Sequence, residues 1–138
     1  MNKKLRVRAV GALVPVMSAA TLLLSGSPAS AFNKDGYLEK DEFGLYYTVN
    51  RTGCVFDLGS EDMNFSDNKF WGPSGCSGYQ KITNDNTESY WNRDVFTWKV
   101  GTDKDMDGQV GTLPEGHVGN ASATFKNKIS SADYILGT

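Results

Sequence analysis

The strongest constraint on what this chain can fold into is a polar hexad that occurs twice. Asp85-Asn86-Thr87-Glu88-Ser89-Tyr90 is followed 41 positions later by Lys126-Asn127-Lys128-Ile129-Ser130-Ser131, with Asn at the second place and Ser at the fifth place of both. A shared pattern at a fixed distance implies two copies of one structural unit. Asn and Ser side chains either fold back on the local backbone or offer oxygens to a hard cation. The pair therefore bears on fold and function together.

The residues around the hexads read as short strands. Residues 42–49 alternate around Phe43, Leu45 and Tyr47, and 54–58 form a short apolar run. Residues 91–100 gather Val95, Phe96, Trp98 and Val100, and 109–113 and 132–136 are further strands. Between them stand turn signals: Asn50-Arg51-Thr52-Gly53, Gly72-Pro73-Ser74-Gly75, Asp107-Gly108 and Pro114-Glu115-Gly116. Short strands with Gly and Pro punctuation predict an all-β sandwich or barrel. Beyond the N-terminal segment, no stretch sustains the 3.6-residue apolar period of a long helix.

The repeat extends outward from the hexads. Tyr46 precedes Gly53 with six residues between, and Trp98 precedes Gly108 with nine between. Each half then runs aromatic strand, glycine turn, second strand, short third strand, hexad and fourth strand. Four antiparallel strands with a long return make a Greek key. The expectation is two such units, about 42–94 and about 95–136, closing one core. The first carries an insertion, roughly 61–78, holding Cys76 and the exposed-looking pair Phe70-Trp71.

Residues 1–31 read as a secretory signal peptide. Lys3, Lys4, Arg6 and Arg8 precede an apolar run over 9–24, and Ala29-Ser30-Ala31 is the small-x-small end that a signal peptidase reads. Cleavage after Ala31 leaves one domain, 32–138, expected to be secreted, extracellular and monomeric. Loss of those four basic residues leaves ten basic against sixteen acidic, a formal net charge of −6. That balance argues against nucleic acid, and against an anionic membrane once the signal is gone. Cys54 and Cys76 are the only cysteines, and an exported domain of this size uses such a pair as a disulfide.

Four stretches carry a likeness to a known group: Asp41-Glu42-Phe43-Gly44-Leu45-Tyr46-Tyr47, residues 86–92, Pro114-Glu115-Gly116 and residues 127–131. On these the chain resembles βγ-crystallin-type domains over nearly all of 35–135. It is most similar to small secreted bacterial proteins of that fold classed with metallopeptidase inhibitors. The resemblance implies a βγ-crystallin-like sandwich of two Greek keys and a non-enzymatic protein. It also implies an extracellular peptidase as partner, engaged by the disulfide-braced loop. Crystallin-type domains serve several functions, so a calcium-binding structural module of the cell exterior and a glycan-binding module stand as alternatives.

The same resemblance suggests Asn86, Ser89, Asn127 and Ser130 as calcium ligands. Tyr90 stands where the hexad ends in Ser, and Lys126 stands where an acid belongs. Any calcium is then held in the weak range of about 10⁻⁴ to 10⁻³ M, and no cofactor is required. The competing reading has these side chains bonding only the turn before the fourth strand. Asp103, Asp105 and Asp107 match the opening of a helix–loop–helix calcium loop, but Pro114 stands at the twelfth place where a Glu is needed. They read as a charged hairpin loop that attracts cations without specificity. Residues 33–38 with Glu42 imitate the later part of such a loop only by coincidence.

His117 is the only histidine and follows a turn, with no partner pattern for zinc. No Gly-x-Ser-x-Gly elbow surrounds a serine and no phosphate loop is present, so catalysis is not expected. Sixteen aromatic residues are many for a thin sandwich, and most must fill its core. Phe70, Trp71 and Tyr79 are the candidates for an exposed patch that binds a protein or a sugar, with core packing as the plainer reading.

Overall fold

The computed structural model describes residues 33–136. The expected signal peptide, 1–31, and its cleavage point lie outside the described residues. Period-two alternation supplies the strands: in β1 (Phe43–Thr48) Phe43 and Leu45 point into the core, and in β2 (Thr52–Leu58) Cys54, Phe56 and Leu58 do. Five further strands follow: β3 (Ser89–Asn92), β4 (Thr97–Gly101), β5 (Val110–Leu113), β6 (Val118–Asn120) and β7 (Ser131–Ile135). They form two antiparallel sheets, ordered β2-β1-β3-β6 and β5-β4-β7. No α-helix lies among the described residues.

The third strand of each set joins the other sheet. β6 pairs with β3, and Asp62 bridges Ala132 on the free side of β7. The two sheets are thus braided together, and the core lies between them. Phe43 stacks on Trp98 at its centre, ring centroids 4.8 Å apart, and both side chains are fully buried. Because β1 and β4 occupy corresponding places in their sheets, these two aromatics are counterparts across an approximate two-fold relation.

Three expectations are revised. Residues 91–100 are two strands, because the chain crosses between sheets at 93–96. Asn92 holds this crossing: its Nδ2 donates to the carbonyls of Phe96 and Leu113, and its Oδ1 accepts from the Asp94 amide. Asp94 in turn accepts from Trp98 Nε1 at 2.9 Å. The short strand β6 was not marked by its polar, glycine-containing sequence. Phe70 is fully buried, not exposed: it joins the core edge-on to Tyr47. The backbone explains this, since Trp71 exchanges amide–carbonyl bonds with Val55, laying the insertion along the outer edge of β2. Cys54 and Cys76 form a disulfide across that contact, with Cα atoms 5.3 Å apart. An exposed strand edge is a template for aggregation, and the insertion covers it.

Residues 33–42 fold back over β1 and β2. The amides of Asp35 and Gly36 donate to the Asp57 carboxylate, and the Glu39 amide donates to Glu42 Oε2. Gly36 is required here: its φ is +89°, and a Cβ would strike the backbone of Trp71 and Gly72. Glu42 and Asp57 are both wholly buried, and Oε1 of Glu42 and of Glu39 have no hydrogen-bond partner. Burial pushes the Glu42 carboxyl up to about 7 and that of Asp57 up to about 6, reinforced by Asp35 near both and by Glu39 near Glu42. The 33–38 imitation of a calcium loop is in fact a cap on Asp57.

Candidate cation site between the hexads

The two hexads meet across the approximate two-fold. The Asp85 amide donates to the Ile129 carbonyl at 3.0 Å, and the Asn127 amide donates to the Thr87 carbonyl at 2.8 Å. Asp85 and Asn127 share a left-handed backbone, φ 61° and 57°. They are therefore counterparts, 42 positions apart rather than 41.

The serines confirm the shift. Ser89 Oγ donates to the Thr48 carbonyl and accepts from the Arg51 amide. Ser131 Oγ does the same with the Asp103 carbonyl and the Met106 amide. Ser89 thus corresponds to Ser131, and the matching hexads are Asn84-Asp85-Asn86-Thr87-Glu88-Ser89 and Lys126-Asn127-Lys128-Ile129-Ser130-Ser131. Aligning on Asn and Ser in sequence hid this, because Glu88 stands at the fifth place of the first copy. The buried pair Thr87 and Ile129 falls into register only in the corrected alignment.

The four expected ligands are thereby separated. Ser89 is buried and committed to the β1–β2 turn, and Asn86 donates from Nδ2 to the Ile82 carbonyl. Asn127 donates to Glu88 Oε2 at 3.1 Å, while Ser130 Oγ donates to Asp85 Oδ1 at 3.0 Å. Asp85 and Glu88, which the sequence reading did not single out, are the hydrogen-bond partners of Ser130 and Asn127. Tyr90 is not the sixth residue of the first hexad and so marks no departure there.

The two crossed pairs have unlike surroundings. Asp85 and Ser130 line an open cleft with Asn64, Ser66, Asp103 and Asp107, into which Lys104 also reaches. At the corresponding positions beside the Asn127–Glu88 pair stand Thr48 and Thr52, which bond to one another at 2.6 Å. One location is lined by three aspartates and one lysine, and the other has the single carboxylate of Glu88. Among the described residues no three or more His, Cys, Asp or Glu side chains converge as metal ligands. Asp105 contributes its amide to the Met63 carbonyl and stands outside the cleft lining. His117 stacks on Tyr90, ring centroids 5.7 Å apart.

No family model matches the sequence, and no curated protein matches it. Solved structures do. A chain studied for the evolution of the eye lens βγ-crystallin domain fold superposes with a TM-score of 0.55 at 21% identity, covering 83% of this chain and 95% of that one. The fold is that of βγ-crystallin domains. A βγ-crystallin from an archaeon gives 0.52 at 23% identity, covering 70% of this chain and all of that one. A βγ-crystallin domain from Clostridium beijerinckii gives 0.52 at 17% identity, covering 67% and 95%. The exchanged third strands, the crossed hexads and the left-handed Asp85 and Asn127 are how this chain builds that fold.

Proposed function

We propose that the chain is an exported, non-enzymatic βγ-crystallin-type module that holds one calcium ion in the cleft between Asp85 and Ser130. The observation that carries this reading is the asymmetry of the two crossed pairs. Carboxylate and hydroxyl oxygens of the paired Asp85 and Ser130, in a cleft also lined by Asn64, Asp103 and Asp107, suit a hard cation that takes oxygen ligands. The threonines at the other location supply no charge. With few carboxylates and Lys104 adjacent, affinity belongs in the range of about 10⁻⁴ to 10⁻³ M. Calorimetric titration should show one calcium ion per chain, weakened by Asp85→Asn and by Ser130→Ala. Heat unchanged by both substitutions would remove this assignment.

The second reading, inhibition of a secreted metallopeptidase, is favoured by one surface. Trp71 and Tyr79 pack edge to face, 5.8 Å apart, on the segment tied down by the disulfide. A braced loop loses little ordering entropy on binding. Phe70 is in the core and takes no part. A dose–response against secreted metallopeptidases should then show inhibition that Trp71→Ala relieves. No inhibition at micromolar protein leaves the calcium-binding module alone.

A further inference from the structure

The approximate two-fold exposes a place where the two halves differ in their core. β1 pairs Leu45 with Phe56, and β4 pairs Val100 with Gly111, so Gly111 stands where the first half has Phe56. The Phe65 amide donates to the Ser130 carbonyl, and the Ala121 amide donates to the Glu88 carbonyl, so Ala121 stands where the first half has Phe65. In the first half those two phenylalanines meet edge to face, 5.0 Å apart, and both are buried. In the second half both rings are missing.

Phe125 partly takes their place. Its ring lies so close over Gly111 that a Cβ there would approach it to 2.8 Å. The remainder is a partly enclosed cavity of about 200 Å³. Its walls are Val100, Leu113, Ile129, Phe125 and the Tyr90 ring, and His117 stands at the exposed edge. Asn120, also at the edge, is committed to Asn50 through two hydrogen bonds.

We propose that this cavity is a binding site for a small molecule with a single aromatic ring and one hydroxyl group, of the phenol class. An apolar cavity of about 150 Å³ already accepts benzene, so the volume suffices for one ring. The occupant replaces the edge-to-face partners that Phe56 and Phe65 provide to each other in the first half, now supplied by Phe125 and Tyr90. The polar side chains of the lining, Thr112, Ser122 and His117 beside the committed Asn120, are all solvent-exposed, so the hydroxyl points outward, toward the His117 imidazole among them. Charge is excluded, because the walls offer no counter-ion. The site is separate from the Asp85–Ser130 cleft and stands whether or not calcium binds.

The test is a titration of the ¹⁵N- and methyl-labelled protein with phenol, followed by NMR. Saturable shifts are expected at Gly111, Gly119 and Phe125, with a dissociation constant on the order of 10⁻⁴ to 10⁻³ M for so small a ligand. Nuclear Overhauser contacts should join the phenol ring protons to the methyl groups of Val100 and Ile129. Ala121→Phe restores a missing ring and should weaken binding by about tenfold or more, and His117→Ala should reduce the preference for phenol over benzene. Absence of those contacts at saturating phenol overturns the proposal in the unmodified protein, independent of how any variant folds. Shifts that persist undiminished in a folded Ala121→Phe protein overturn it as well.

Discussion

Glu42→Gln should stabilise this protein at alkaline pH and leave it little changed under acid conditions. The Glu42 carboxyl is wholly buried, receives one amide bond from Glu39 and faces Asp35, Glu39 and Asp57 with no cation among them. Its pKa rises from 4.5 to about 7 on folding. The folded state therefore holds this proton more tightly than the unfolded chain does. Between those two values the native state binds more protons, so stability falls as pH rises, and the loss is complete above about 7. At about 1.4 kcal/mol per pK unit the whole effect is on the order of 3 kcal/mol. Asp57, raised from 3.8 to about 6, adds a loss of the same sign in a lower window. Glutamine keeps the oxygen that accepts from the Glu39 amide, and it places an N–H where Oε1 of Glu42 and of Glu39 now lack partners. Urea unfolding at pH 5 and pH 8 measures both proteins. The variant should exceed the parent by less than about 1 kcal/mol at pH 5 and by up to about 3 kcal/mol at pH 8, retaining only the Asp57 dependence. Equal destabilisation at both pH values would show that the ionised Glu42 is satisfied in the fold, and the reasoning would fail.

Reducing the Cys54–Cys76 bond, which closes a 22-residue separation, should cost about 3 kcal/mol in thermal or denaturant unfolding, and the oxidised mass should lie about 2 Da below the reduced one. Trp98→Ala removes a fully buried ring stacked on Phe43 and should cost about 3–5 kcal/mol, read from the urea midpoint. Gly36→Ala should loosen residues 33–42 and speed amide exchange at Asp35 and Gly36, whose N–H groups the Asp57 carboxylate now protects. Export is tested by N-terminal sequencing of secreted protein, which should begin at Phe32.

The sequence disclosed the architecture better than the site. Alternation around Phe43 and Leu45 placed β1, and Gly53 and Gly108, with φ of +79° and +75°, marked the corresponding turns of the two halves. What escaped was set by tertiary pairing. β6 is a strand because β3 offers it a hydrogen-bonding edge, and nothing in Val118, Gly119 and Asn120 announces that. The one-residue error between the hexads arose because identical letters were aligned. The structure aligns backbone geometry, and a left-handed aspartate matches a left-handed asparagine. The aromatic–glycine spacing likewise equates Tyr46 with Trp98, whereas sheet register equates Tyr46 with Gly101. Phe70 looked exposed because it sits in an insertion, and its burial depends on the insertion lying against β2.

The crossing of third strands between sheets also bears on how this molecule comes apart. Residues 93–96 serve as a tether between segments that already complete one another's hydrogen-bonded ladders. A protease cut there would leave two fragments held by β3–β6 pairing and by the Asp62–Ala132 bridge. Refolding of the nicked protein would then depend on concentration, since the tether no longer supplies the millimolar effective concentration of a short linker. Neither fragment has a complete core by itself, because Phe43 belongs to one and Trp98 to the other. Loss of order would pass through both sheets as a single transition, with no half-folded species to populate.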